Sequence, residues 1–526
     1  MTRQRTAAFR GALPAPAAPV ILSLLLIAAS GLRGQPYDAA FAPDAGFADV
    51  GARSDPLPVN DLETAALLAS GLSPAELPAM QARLDADLRE LASSVGGMAD
   101  PSSRAEATLG FLHRRMLRAY RADATTLDGI LTTGLFNCVS SAVLYMIAAR
   151  SLGLDVGAVQ TSDHAFCVVH LADRSVDVET TNPEGYDPGT KRSFTDSFGR
   201  VTGFSYVPPG DYGRRNAIGG KALVGLILSN RVVLAEAGGD YRLSLRLGVD
   251  YDTLERSPAS RSFLIDRVNN LAADLVQRGD YPSAERLAAA ARVAVGEDPR
   301  LLDLERKAAY MGAAALAQAG RWDAALDAAA GIRSRGLDSG ELESLISAAI
   351  NNEVVALLQG KDFQGARRAL DTHRDLADPR LVSSLGETIG EAELAQAVRS
   401  LPFQEALAAA RRELDAGFVD RPAWERATDL VYLNEANRIA HTGDWLAASR
   451  VAAEGSRLAP GDGTLERAAQ NYRANFVAVS HNAFAGLYNA RKFAQARDYI
   501  RSALDSLPDD PTLLQDLALA NRALGQ

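Results

Sequence analysis

A short pattern recurs seven times in the C-terminal half of the chain and limits what that half can fold into. Each copy has small or polar residues, then an aromatic, then a small residue three places later. The copies are GDYRLS (Tyr241, Ser244), GDYPSA (Tyr281, Ala284), GRWDAA (Trp322, Ala325), KDFQGA (Phe363, Ala366), LPFQEA (Phe403, Ala406), GDWLAA (Trp445, Ala448) and RKFAQA (Phe493, Ala496). The aromatic-to-aromatic steps are 40, 41, 41, 40, 42 and 48 residues. A period of this size marks an array of stacked supersecondary units, each unable to bury its apolar face alone. The small residue lets paired helices approach, and the aromatic fills the gap beside it.

The pattern resembles the tetratricopeptide repeat, whose turn carries Gly-x-aromatic-x-x-Ala. The resemblance covers residues 221–526 and implies an all-α helical solenoid whose concave face grips a protein or peptide. That family repeats at about 34 residues, so each helix pair here is expected to be longer or to carry an irregular loop. A HEAT-type array, with its longer period, is the alternative.

The N-terminus has a different composition. Arg3, Arg5 and Arg10 precede the run APVILSLLLIAAS, with no acidic residue before Asp38. The apolar run is short for a bilayer span, and Ala28 and Ser30 suit a cleavage site, so residues 1–30 read as a secretory signal peptide. A buried N-terminal helix and an uncleaved signal anchor are the alternatives. No cysteine follows the run, which excludes a lipoprotein anchor. A periplasmic or secreted location is expected. Residues 31–58, rich in Gly, Pro, Ala and Asp, read as a linker. KALVGLILSN at 221–230 is too short to span a membrane. The net charge is −10 and no basic patch with interleaved aromatics occurs, so nucleic acid is not an expected partner.

Between linker and repeats, residues 59–210 read as one domain. SPAE at 73–76 and SRAE at 103–106 carry Ser-x-x-Glu capping signatures. In LTTGLFNCVSSAVLYMIAARSLGL (131–154), Asn137 is a good N-cap, Val139, Ala142, Val143, Met146 and Ile147 form a helical apolar stripe, and Gly153 marks the stop. Cys138 is therefore expected in the first turn of a mostly buried helix. The Val-rich runs that follow, broken by TSD and ADRS, predict strands of a small antiparallel sheet. YVPPGDYGRRNAIGG (206–220) reads as a linker.

The chain holds two cysteines, Cys138 and Cys167. A buried thiol is often just a small apolar side chain. A nucleophilic one needs a base, and the base needs an orienting group. Cys138 has a helix N-terminus to favour the thiolate and to offer N–H groups to an oxyanion. His164 opens the strand HAFCVVH, and Asp177 lies thirteen residues on in SVDVETT. Strand, turn and strand bring such positions side by side, and Asp177 and Glu179 share a face. Cys138, His164 and Asp177 thus form a coherent triad. A zinc site on His164, Cys167 and His170 fails on geometry, because the two histidines lie roughly 20 Å apart along a strand and Cys167 points to the opposite face. The same alternation argues against a Cys138–Cys167 disulfide. No phosphate loop or dinucleotide fingerprint occurs, and no cofactor or metal is expected.

NCVSSA, then DHAFCVV, then VDVETTNP resemble the transglutaminase-like superfamily, a branch of the papain-like cysteine enzymes. The match runs from about 125 to 206. It implies an α+β papain-like/transglutaminase-like domain with Cys138 as nucleophile, His164 as base and Asp177 as orienting carboxylate. Many members carry Trp after the cysteine, where this chain has Val139. Asn137 and Gln160 are the candidate side-chain oxyanion donors, although a capping Asn and an exposed Gln are the plainer readings. The implied activity is cysteine-dependent acyl transfer on a protein or peptide: a peptidase or amidase, or a transglutaminase-type transferase. Hydrolysis is favoured because water needs no second binding site. The alternative is an inactive transglutaminase-like scaffold whose solenoid does the binding. A purely structural envelope component leaves the triad spacing unexplained.

Overall fold

The computed structural model describes residues 37–44, 46–191, 215–460 and 463–525. The expected signal peptide and residues 31–36 of the expected linker lie outside the described residues. The chain divides into two compact units: one comprises the chain to Arg231 together with Val249–Glu255, the other Val232–Gly248 and the chain from Arg256 on.

The first unit is α+β. Its elements are α1 (Phe47–Gly51), α2 (Val59–Ala69), α3 (Leu77–Val95), α4 (Pro101–Arg115), β1 (Ala119–Tyr120), α5 (Leu127–Thr133), β2 (Leu135–Phe136), α6 (Cys138–Ser151), β3 (Val156–Gln160), β4 (Ala165–His170), β5 (Ser175–Val178) and β6 (Asn216–Ile218). β1 and β2 pair in parallel. The other four strands form an antiparallel sheet in the order β5-β4-β3-β6. α6 is apolar all round and buried from Cys138 to Ala149, as befits a central helix. It packs on β3 and β4 and on α2 and α4.

Three sequence expectations shift. Residues 37–58 are not simply a linker: they include α1, whose Phe47 and Val50 are buried, and a buried Leu57. The helix expected from SRAE begins earlier, because Asp100 accepts from the Ser102 and Ser103 amides and Pro101 starts the turn; an Asp cap followed by Pro outcompetes the later serine. At SPAE, the Ser73 amide and hydroxyl both donate to Glu76, but the helix proper starts at Leu77. The stretch read as a linker at 206–220 also contains structure. Its residues 206–214 lie outside the described residues, but Asn216–Ile218 is β6, hydrogen-bonded to β3.

The second unit is helical. From Gly220 the chain forms helix pairs: Gly220–Ala237 with Tyr241–Glu255, Pro258–Gln277 with Tyr281–Val295, Pro299–Gln318 with Trp322–Ser334, Gly340–Gln359 with Phe363–Thr372, Pro379–Ser400 with Phe403–Asp415, Arg421–Ala440 with Trp445–Leu458, Thr464–Asn489 with Phe493–Ser506, and a last helix Pro511–Ala523. The first pair is shared between the two units. From Pro258 on, each helix packs on the next, and the first helices of successive pairs pack on one another. That is nearest-neighbour stacking. All seven motif aromatics are the first residue of their pair's second helix. All seven small partners are buried, while the aromatics are only half-buried. The close helix approach therefore rests on the small residue. The long period is absorbed by length: most first helices have 18 to 22 residues, and that of the last pair has 26.

The turn between paired helices needs a left-handed residue two places before the aromatic. Gly239, Gly279, Gly320 and Gly443 supply it. Lys361 (φ +60°) and Arg491 (φ +61°) hold it without glycine. At Leu401 the following Pro402 forbids the helical well, and φ is −92° with ψ at 150°. The left-handed conformation costs a side-chain-bearing residue about 1–2 kcal/mol, partly offset by glycine's larger unfolded-state entropy of about 0.5–1 kcal/mol. Lys361→Gly should therefore raise stability by about 0.5–1 kcal/mol, read as a higher urea midpoint. A midpoint that falls would refute this account of the turn.

Candidate active site

Asn137 prepares the site. Its side-chain oxygen accepts from the Val139 and Ser140 amides, and its own backbone N–H donates to the Ser140 hydroxyl. Its Nδ2 donates to the Ala122 carbonyl. Asn137 is thus committed to capping and is not a free oxyanion donor. The Ser141 amide bonds the Asn137 carbonyl. The Cys138 N–H remains as the first-turn amide not engaged by a described residue. Gln160 closes β3, paired with Ala165 and with Asn216 of β6, and is partly exposed.

His164 ends a tight hairpin whose two-residue tip is Ser162–Asp163, closed by the Thr161 N–H to His164 carbonyl bond of 2.8 Å. Its ring lies beside the Cys138 side chain, close enough for the two to interact electrostatically. Its Nε2 lies 2.6 Å from Glu179 Oε2. With Nε2 taken by the carboxylate, Nδ1 is the nitrogen that serves the thiol. Burial alone would depress the imidazole's pKa, but the Glu179 charge and the neighbouring Cys138 outweigh it and raise it to about 10. Glu179 is fully buried and fixed by the Thr181 amide (3.2 Å) and hydroxyl (2.8 Å).

The carboxylate on His164 is therefore Glu179, where the sequence pointed to Asp177. The register explains the difference. Asp177 lies opposite Val168, four residues or about 13 Å along the strand from His164. Glu179, one diagonal step away, is within reach of a long side chain. Asp177 instead holds Arg215 through two bonds of 2.7 and 2.8 Å. The guanidinium also stacks over Phe166 at 4.9 Å. Phe166 packs with Val159 and Val168.

Cys167 sits on the opposite face, buried, with its thiol donating to the Ala142 carbonyl at 3.2 Å. Burial pushes its pKa far up. Neither cysteine is in a disulfide. His170 is exposed and bonds Ser175, so His164, Cys167 and His170 have three separate environments.

Two further residues lie at the site. Tyr120 crosses Phe136 edge-on at 6.0 Å, and its phenol is pushed up first by burial, then by Cys138 and Glu179. His113 also crosses Phe136 edge-on at 5.9 Å and bonds the Thr180 carbonyl at 3.0 Å. Burial lowers its pKa, opposed by the Thr180 bond and by Glu179. In sequence Tyr120 continues the apolar stripe of Leu109, Leu112 and Met116 and reads as helical, but the helix ends at Arg115 and Tyr120 ends β1, opposite Phe136; His113 carries no sequence signal. Comparison with protein-family models and with curated proteins finds no match.

Proposed function

We propose that the first unit is a transglutaminase-like cysteine acyl-transfer domain acting on a protein or peptide amide or ester, with the helical array, of tetratricopeptide-like design, as its substrate or partner grip. One observation carries the reading: a cysteine at the first position of a capped helix stands beside a histidine held by a buried carboxylate. In the resting site His164 has already taken the Cys138 proton as base, and the sulfur bonds to the substrate carbonyl carbon as a thiolate paired with the imidazolium. The resulting oxyanion faces the free Cys138 N–H. Collapse breaks the carbon–nitrogen or carbon–oxygen bond, and His164 returns the proton to the leaving group. Water, or an amine in a transferase, then attacks the thioester, with His164 again as base. Glu179 keeps the imidazole in the orientation and tautomer this requires. Export to the periplasm or beyond belongs to the same proposal, and among the described residues no helix is long and apolar enough to cross a membrane.

The second reading, an inactive scaffold, draws on the 8% exposure of Cys138. Iodoacetamide labelling of the full chain with peptide mapping separates the two. The active reading expects Cys138 to be modified at pH 6.5 far faster than Cys167, and His164→Ala to abolish the difference. Equal, slow labelling of both thiols in folded protein would leave only the scaffold.

A further inference from the structure

Away from the thiol, three residues from consecutive helices converge in the second unit. Asp323 lies in the first turn of Trp322–Ser334, Glu353 on Gly340–Gln359, and His373 caps the end of Phe363–Thr372. One ligand atom from each lies within 4.8 Å of the others. His373 is 5% exposed, and its Nε2 points at Asp323 Oδ1, 3.2 Å away. The ring is held by a backbone that both accepts and donates: its N–H bonds Ala369, and its carbonyl takes the Leu376 amide.

The carboxyl groups supply the independent sign. Glu353 and Asp323 each bring a carboxylate oxygen within 4.8 Å of the other. Two carboxylates in such contact cannot both keep their charge unaided. Glu353 Oε2 is also fully buried with no hydrogen-bond partner among the described residues. A buried acceptor without a donor, next to a like charge, is costly. A cation is the group that would relieve both penalties at once.

We propose that Asp323, Glu353 and His373 form a binding site for a divalent transition metal of the zinc class, clamping the third helix pair to the fourth. One imidazole nitrogen and two carboxylate oxygens suit that class, and three protein ligands leave a fourth position for water or a partner's donor group. Bonds of about 2.0–2.2 Å place tetrahedral ligand atoms about 3.4 Å apart. The set closes to that spacing by a small swing of Asp323, whose side chain is 78% exposed. The buried His373 and the half-buried Glu353 need not move far. The site lies outside the proposed triad and does not depend on it.

The test is calorimetric titration of chelator-stripped full-length protein with zinc chloride. One equivalent should bind, and melting should shift upward with zinc, since at a hundred times Kd the unfolding equilibrium falls about a hundredfold. Asp323→Ala removes an exposed side chain and should leave the metal-free melt unchanged while weakening zinc at least tenfold. Glu353→Gln should do likewise, and Cys138→Ala should bind as the unaltered protein does. Cobalt substitution should give visible absorption of tetrahedral strength in the unaltered protein and not in Asp323→Ala. Absence of stoichiometric binding, or equal affinity in Asp323→Ala and Glu353→Gln, would overturn the site. Loss of binding in Cys138→Ala would do the same.

Discussion

Glu179→Gln should slow alkylation of Cys138 at pH 7 roughly tenfold to a hundredfold, while Asp177→Asn leaves the rate of the folded protein nearly unchanged. The two carboxylates lie two residues apart and point from the same strand face. Only one of them touches the imidazole. Glutamine keeps the shape of Glu179 but removes the charge that favours a protonated His164. The stability consequence has a definite sign. The folded pKa of His164 is about 10, above the ordinary value of about 6.5. Its contribution is fully present below pH 6.5 and is lost as pH rises through 10. The stability gap between the unaltered protein and Glu179→Gln should thus be widest near pH 6 and narrow towards pH 10. Melting curves at the two pH values, with rates of Cys138 labelling, check both halves. If Asp177→Asn slows labelling as much as Glu179→Gln, the orienting role is not Glu179's. Glu179→Gln without effect on labelling would remove the triad itself.

The strong signals in the sequence were periodic or turn-based. Seven aromatics marked seven helix starts, six of them just past a tight left-handed turn, which few residues tolerate, and the seventh just past Pro402. Cys138 was legible because Asn137 is a capping residue and the helix after it is apolar. His164 was legible because a polar turn precedes a Val-rich strand. The carboxylate was not legible, because two candidates shared a face and the register depends on turn lengths. The two-residue tip at Ser162–Asp163 and the four residues between His170 and Ser175 fix it only in three dimensions. Arg215 was hidden in a stretch that looked like a linker because Gly and Pro dominate its composition. Its two bonds to Asp177 are a long-range fact that no local pattern carries. The metal-ligating set escaped for the same reason. Its members lie 30 and 20 residues apart, on helices whose stacking alone brings them together.

The first unit extends past residue 210, where composition placed a boundary, and this gives the second large effect. A fragment of residues 37–210, ending where composition suggested, should fail to fold, whereas 37–256 should fold and keep a reactive Cys138. The first unit includes the chain through Arg231 and takes back Val249–Glu255. Cutting at 210 removes Leu223, Val224, Ile227 and Leu228, each fully buried. Burying a large aliphatic side chain is worth about 1.5–3 kcal/mol, so the four together contribute roughly 6–12 kcal/mol. The cut also removes β6 and strips Asp177 of Arg215, and a buried charge left without its partner costs about 3–5 kcal/mol. It deletes Lys221, whose ammonium bonds the Gly51 and Arg53 carbonyls, and Asn230, which donates to Thr125 at 2.9 Å. It deletes the segment at Thr253, which approaches Gly51 so closely that a Cβ there would lie 2.0 Å from the Thr253 carbonyl oxygen. These terms sum to about 9–17 kcal/mol, as large as the whole stability of about 5–15 kcal/mol that a domain holds in reserve. Near-ultraviolet circular dichroism, melting and labelling of the two fragments decide the matter. A cooperative melt of 37–210 with full Cys138 reactivity would show that the helix from Gly220 is dispensable, and the sequence boundary would stand.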